Sequence, residues 1–311
     1  MGNEAEMKNR IWFHADDYGV RVKHSEKILS CHKEGILNSI SVLANTNALG
    51  DSLKLLNEID PDKNKIRRVL HLNFVEGKPL AGAENVPLLV DSAGLFDKSF
   101  IQFFQWNYTK MGVHRHRLIE QIKAEIRAQL RAVTIEYNYG ITAVDSHQHY
   151  HMIPIIFDSL MEVLSEQEFK QLCIRQIRIP VDPLTPILHN PKMRKGVPMI
   201  NWIKWCILRI YTGRTKRLLQ KKGIDSPVFF GIFYTCEMKT EVVKALLPAY
   251  KAYADNRHAQ LELMFHPGNL MKDSELLDAR SKQLAMFYMS DNRFREAECL
   301  KLLRYDSALT M

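Results

Sequence analysis

Paired cysteines are missing from this chain. Its five cysteines, Cys31, Cys173, Cys206, Cys236 and Cys299, are scattered over 311 residues, and no two stand at a CxxC spacing. That excludes a thiolate metal site and a disulfide scaffold, and it predicts reduced thiols in a cytoplasmic setting. Long apolar runs are also missing. No stretch reaches the about 18 uninterrupted apolar residues of a spanning helix. The polar segment 1–10 has no apolar signal-peptide core before it runs into Ile11-Trp12-Phe13. There is no internal repeat and no low-complexity tract. With 46% apolar and 25% charged residues, a disordered or collagen-like chain is excluded. The length suits one large barrel domain or two smaller domains.

One segment has no acidic residue at all. Between Pro183 and Ile224 stand ten basic residues: Lys192, Arg194, Lys195, Lys204, Arg209, Arg214, Lys216, Arg217, Lys221 and Lys222. The chain carries 43 Lys and Arg against 35 Asp and Glu, a net charge of +8. Without those ten, 33 basic residues face 35 acidic ones. The positive charge therefore belongs to this segment, which looks like an insertion between two strands. No nucleic-acid fold or interleaved motif accompanies it, so nucleic acid is not an expected partner. Two readings remain. In one, a surface helix packs its Trp and Ile residues on the body and leaves Lys and Arg in water. In the other, the segment meets an anionic membrane surface or a lipid-linked substrate, peripheral at the inner membrane face. Trp202, Trp205 and Arg209 are the candidates for that contact.

Elsewhere short apolar runs alternate with amphipathic stretches. The runs Ile11–Ala15, Ser39–Ala44, Arg68–Phe74, Ile141–Ser146, Ile174–Ile179, Val228–Ile232 and Leu261–Phe265 read as strands. Ser25–Gly35, closed by Gly35 as a C-cap, reads as a helix, as do Asp51–Glu58, Arg117–Tyr137 and Pro154–Leu164. This alternation predicts an α/β fold with parallel strands and outer helices, in a single domain over 1–311.

Four motifs carry chemistry. His14-Ala15-Asp16-Asp17-Tyr18-Gly19 follows the first strand. Adjacent carboxylates are costly to hold together unless a positive charge joins them. A metal ion would engage one and leave the other as a general base; a solvated turn is the plain alternative. In Asp145-Ser146-His147-Gln148-His149-Tyr150-His151, an extended backbone would put Asp145, His147, His149 and His151 on one face. Clustered histidines suit a borderline metal, with at most two as direct ligands and the rest orienting ligands or substrate. His71, inside an apolar strand, and His266, between an apolar strand and Pro267-Gly268, could each be a plain core or turn histidine. All four motifs fall at the C-terminal ends of expected parallel strands, the rim where α/β folds build their sites.

These motifs resemble the YdjC-like family of carbohydrate deacetylases, chitooligosaccharide deacetylase among them. The resemblance rests on His14–Gly19, His71-Leu72-Asn73-Phe74 with Gly77-Lys78-Pro79-Leu80, Asp145–His151 with Pro154, and Glu262–Gly268, in that order. It implies a distorted (β/α) TIM-like barrel. It further implies a divalent metal held by Asp17, His71 and His147, with Asp16 as general base and His266 as general acid. Asp145, His149, His151, Arg178 and Glu262 would orient ligands or touch substrate. Arg178 would contact substrate or orient Asp16, and Glu262 is a candidate partner of His266. An Asp-His-His set suits Zn or Mg first, and also Mn, Co, Ni or Fe. The expected reaction is hydrolysis of the N-acetyl group of an amino sugar, free or lipid-linked. The rivals are a barrel phosphoesterase or amidohydrolase, disfavoured because the His-x-His lies mid-chain, and a non-catalytic sugar- or lipid-surface module. A homodimer is compatible with the sequence.

Overall fold

Strand alternation sorts this chain into two interiors. The computed structural model describes residues 11–269 and 286–305. Seven strands form one sheet: β1 (Ile11–Tyr18), β2 (Ser39–Leu43), β3 (Arg67–Leu72), β4 (Ala143–Ser146), β5 (Gln176–Ile177), β6 (Val228–Phe230) and β7 (Leu261–Phe265). Their order is β5-β4-β3-β2-β1-β7-β6, and every pair is parallel. The two edges approach at a parallel bridge between Gln176 and Asp225. The spatial order around the ring therefore follows the chain. The result is a curled α/β sheet of the distorted TIM-like kind. Phe13, Ala15, Ile40, Val42, Leu70, Val144, Leu263 and Phe265 belong to the apolar core under the helices. Their strand neighbours turn inward, and the lumen they fill is polar: His14 meets Ser39 and Ser41, and Arg67 meets Glu262.

Ten helices are described: α1 (Val22–Lys33), α2 (Leu49–Ile59), α3 (Phe100–Thr109), α4 (Gly112–Arg131), α5 (Pro154–Val163), α6 (Leu184–Leu188), α7 (Pro191–Gly196), α8 (Met199–Lys221), α9 (Thr240–Asp255) and α10 (Asp291–Leu302). In α4 the expected stripe Leu118, Ile122, Ile126 and Leu130 is buried. The helix begins earlier than its apolar spacing suggests and ends in a wide turn, Ala132–Glu136. Strand β5 is shorter than the apolar run Ile174–Ile179. Ile179 N–H donates to the Ser226 hydroxyl rather than to a strand, and Pro180 has no N–H to continue the ladder.

The basic segment forms α6, α7 and α8 between β5 and β6. Its tryptophans differ from the membrane reading. Trp205 is buried, stacks on Phe233 at 5.9 Å and donates its indole N–H to Asp182 O at 2.8 Å. Trp202 lies 4.5 Å from the same ring, and Arg209 covers Trp205 from outside at 5.6 Å. Both indoles are committed to the protein body, because Phe233 and a buried carbonyl offer better partners than water. The surface-helix reading also needs correction. Ile200, Ile203 and Ile210 stay exposed instead of packing.

Gly35 is not the left-handed cap that its position suggests. Helix α1 ends at Lys33, with Glu34 as cap in the right-handed region. Gly35 is needed because α10 passes close: a Cβ there would lie 2.5 Å from Leu300 O and 2.6 Å from Cys31 O. The Ile36 N–H donates to the same Leu300 carbonyl at 3.1 Å. Overpacking against backbone costs typically about 1–3 kcal/mol, so Gly35→Ala is expected to lose that much in urea unfolding. Unchanged stability would mean that the α1–α10 contact has slack.

Candidate active site

Adjacent residues on a regular strand point to opposite faces, yet Asp16 and Asp17 serve one site. The register between β1 and β2 shifts between Ala15 and Tyr18, and Asp17 takes φ 66°. This bulge turns Asp17 to the rim beside Asp16. Left-handed backbone at a non-glycine residue is costly and is kept where the surroundings over-determine it. Arg293 does so here, donating Nη2–H to Asp17 Oδ2 at 2.5 Å.

Asp17, His71 and His147 converge from β1, β3 and the turn after β4, with one ligand atom from each within 4.8 Å of the others. Asp17 Oδ1 lies 3.0 Å from His147 Nδ1 and 3.5 Å from His71 Nε2. Donors about 2.1 Å from a tetrahedral ion stand ~3.4 Å apart, so the spacing fits a cation. Asp17 Oδ1 and His71 Nε2 are buried without a hydrogen-bond partner, so both atoms are open to a cation. His71 Nδ1 is taken by Asp145 Oδ1 at 2.6 Å, with Ser41 Oγ at 3.1 Å. That leaves Nε2 as the free end, the carboxylate–histidine arrangement that fixes a ligand's tautomer. Burial pushes the His71 pKa down, but Asp145 and Asp16 outweigh it and raise it to about 10. These carboxylates favour a positive charge at this point, which a divalent ion would supply in place of the proton. On the far side of the His147 ring, Nε2 is 3.5 Å from Glu76 Oε1.

The single-face reading of Asp145, His147, His149 and His151 fails. Strand β4 stops at Ser146, and residues 147–152 form a 3-10 turn in which Gln148 and His149 have φ 50° and 62°. Period-2 geometry therefore ends one residue after Asp145. His151 turns inward and is fully tied, with Nδ1 to Ser146 Oγ at 2.6 Å and Nε2–H to Arg178 O at 2.8 Å. It braces β4 against β5 and offers no free nitrogen. Burial pushes its pKa down to about 4. His149 is half-buried and lines the cleft. Burial and then Arg178 hold it well below the usual histidine range.

Asp16 is fixed by Arg178, whose Nη1 and Nη2 donate to its two oxygens at 2.9 and 2.8 Å. Burial pushes the Asp16 pKa up, but Arg178, His71 and His14 hold it well below the carboxylate range. Arg178 is itself buried. It also reaches Asp145 Oδ2 at 2.7 Å and Glu262 Oε1 at 2.5 Å. His14, Asp16 and Asp145 form a second convergent group, but the guanidinium already supplies the positive charge there. Glu262 does not partner His266. Four strand residues span about 13 Å, and Glu262 sits deep in the lumen between Arg178 and Arg67, the latter at 2.7 Å.

The partner of His266 is Glu296 on α10. Glu296 Oε2 accepts the His266 backbone N–H and lies 4.0 Å from its Nδ1. Its other oxygen accepts Met238 N–H at 3.0 Å. His266 Nε2 faces Asp16 Oδ2 at 3.8 Å. Burial pushes the His266 pKa down to about 4 against the upward pull of Asp16 and Asp17, so the ring is neutral at pH 7. Arg293 and Glu296 were not singled out in the sequence. The signal was there: 293, 296 and 300 share a helical face, and all three are buried.

Above these groups lies a cleft of about 420 Å³, with Asp16, His147 and His266 among its lining residues. Phe100, Ile232 and Phe287 add apolar walls, and Lys204, Ile207 and Leu208 of α8 contribute one side. The basic segment is thus part of the cleft. Asp182 holds that side in place. It accepts the backbone N–H groups of Gly231, Ile232 and Phe233 and the Tyr250 hydroxyl at 2.8 Å. Its own carbonyl receives Trp205.

The chain is similar to several known proteins. A carbohydrate deacetylase of Thermoanaerobacter pseudethanolicus is 29% identical over 153 residues, 48% of this chain and 54% of that protein. One from Clostridium beijerinckii is 30% identical over 159 residues, 50% and 57% of the two chains. A chitooligosaccharide deacetylase of Proteus mirabilis is 25% identical over 173 residues, 56% and 61%. The chain spans about half the length of the curated relatives it matches. A crystal structure from Enterococcus faecalis V583, named provisionally as a cellobiose-phosphate cleavage protein, superposes with TM-score 0.65 at 19% identity. It covers 96% of this chain and 93% of its own, a likeness of fold. The family model described as "YdjC-like protein" matches residues 10–305, and the chain belongs to that family.

Proposed function

We propose that this protein is a metal-dependent hydrolase that removes the acetyl group from an N-acetylated amino sugar. The observation that carries the proposal is the division of labour between two neighbouring carboxylates. Asp17 joins His71 and His147 in a three-donor set, while Asp16 stays outside it, facing His266 across the cleft. The curated relatives' names as carbohydrate and chitooligosaccharide deacetylases support the same reaction. We read the chain as one barrel domain, with 183–224 as an insertion that forms part of the cleft wall.

Asp17, His71 and His147 would hold the ion, Zn or Mg by preference, with Mn, Co, Ni and Fe compatible with the donor set. Bound there, a divalent ion supplies the Lewis acidity that activates water and polarises the acetyl carbonyl. The residues do the rest. The apolar walls and Lys204 position the sugar over Asp16. Asp16 Oδ2, kept ionised by Arg178, accepts a proton from the attacking water as its oxygen bonds to the acetyl carbon. A carboxylate so depressed is a weak base and gives the proton up readily. His266 Nε2 is neutral and is the stronger base of the two. It receives the proton and delivers it to the amide nitrogen as the C–N bond breaks, releasing acetate and the free amine. Asp145 keeps His71 in the right tautomer, and Glu296 holds His266 at the rim.

A positioned acid or base is worth roughly 10²–10⁴ in rate. Asp16→Asn and His266→Ala are therefore each expected to lower kcat for acetate release by about that factor with metal content unchanged. His147→Ala is expected to lose the metal. Acetate release from N-acetylated oligosaccharides, with metals varied, is the direct assay. Phosphate release from phosphoesters without any acetate would reverse the assignment. Full activity in Asp16→Asn would remove it as the base.

Glu296 yields a pH prediction. Burial raises its pKa from 4.5 to about 7 against the pull of the His266 and Met238 N–H groups and Arg293. The native state then binds more protons than the unfolded chain between those values. Its contribution is present below the unfolded pKa and lost as pH rises through about 7. Glu296→Gln removes the titration. The variant's melting temperature should gain on the parent's from pH 5 to about pH 7 and hold level beyond it. A constant difference would show that Glu296 is ionised throughout.

A further inference from the structure

Helix α8 carries two apolar faces, and only one is used. Trp205, Leu208, Tyr211 and Leu219 pack inward. Met199, Ile203 and Ile210, at spacings of four and seven, share an outward line and are 74%, 49% and 61% exposed. Ile200, also exposed, lies beside them. Further along the same line the apolar residues give way to Arg217 and Lys221, both exposed. The neighbouring helix α3 is joined to α8 through the Tyr108 and Tyr211 hydroxyls at 2.7 Å. Exposed Ile101 lies on α3, and exposed Met111 and Val113 follow it.

We propose that the outward face of α8 docks on an anionic lipid bilayer and brings the cleft to its surface. The chemistry selects this occupant. Between Pro183 and Ile224 every charge is positive, and all the basic residues but Arg214 are exposed. Arg214 is paired with Asp158 at 2.7 Å. A second copy of the chain, packed face to face by a two-fold axis, would set this segment against itself and place like charges together. Single-stranded nucleic acid needs exposed stacking rings, but Trp202 and Trp205 are turned onto Phe233. Exposed aliphatic residues flanked by Lys and Arg match an interface of acyl chains and anionic headgroups. The dock and the site are one helix: Lys204 and Ile207 line the cleft beside Ile203. Among the described residues no helix is long and apolar enough to cross a membrane, so this contact lies on the surface.

Sedimentation of the full chain with vesicles tests the proposal independently of the reaction. Phosphatidylglycerol–phosphatidylcholine vesicles should retain the protein at low salt, and pure phosphatidylcholine should not. Retention should fall as salt rises. The pair Ile203→Ser and Ile210→Ser, and separately Arg217→Ala with Lys221→Ala, should each weaken retention by about tenfold or more. These side chains are exposed and outside the cleft, so melting temperature and acetate release from free oligosaccharides should stay at the parent level. Three results would overturn the proposal. One is no retention on anionic vesicles at low salt. Another is retention indifferent to the Ile203 and Ile210 changes. The third is a concentration-dependent dimer abolished by those changes, which would assign the face to a second copy.

Discussion

Arg178 bonds three buried carboxylates at once, Asp16, Asp145 and Glu262, and the geometry of the rim depends on it. Removing a carboxylate from water costs several kcal/mol in effective terms, about as much as its attraction to a partner returns. The lumen of this barrel accepts that cost because each anion is answered. Glu262 has Arg67 as well as Arg178, Asp145 has His71, and Asp16 has His14. The guanidinium suits the hub because its planar fork serves several oxygens with fixed geometry. It also divides the two convergent acidic groups chemically. Where Arg178 sits its guanidinium already supplies the positive charge, whereas the donors of Asp17, His71 and His147 converge with open atoms that could hold a cation.

From that hub the other assignments follow by contact. Asp145 sits between Arg178 and His71, so the residue that anchors the lumen also orients the free nitrogen of His71. Asp16 is locked by the same arginine and turned to His266. The second anchor, Arg293, comes from α10 and fixes Asp17 while stacking on Phe287 and Tyr288. One turn on, Glu296 fixes His266. The rim is thus clamped twice, by Arg178 just after β5 and by Arg293 and Glu296 of α10. The cleft wall is set by Asp182, which ties the segment after β6 to α8.

Much of this was legible in the chain. The alternation of apolar runs with amphipathic stretches placed all seven strands. The motifs around Asp16, His71, His147 and His266 marked the rim because parallel strands present their C-terminal ends together. Strand logic failed where the backbone leaves the strand. It misjudged His149 and His151 because the turn after Ser146 is built from left-handed residues. It joined Glu262 to His266 although a strand keeps them far apart. The helix face that carries Arg293 and Glu296 could be read from spacing, but nothing local says which carboxylate or histidine they meet. Their partners lie 276 and 30 residues away.

By itself the sequence determined the class of fold, the family motifs and the address of the positive charge, because periodicity, residue chemistry and composition are local properties. Tertiary structure alone decided how Asp17 turns toward the histidines beside Asp16, through a bulge in the first strand. It decided that Arg178 is an interior hub joining three carboxylates, and that the tryptophans of α8 face inward while Ile200, Ile203 and Ile210 face out. Those outcomes depend on a strand bulge, on burial and on partners distant in the chain. Each is a competition between contacts that exists only once the barrel is assembled.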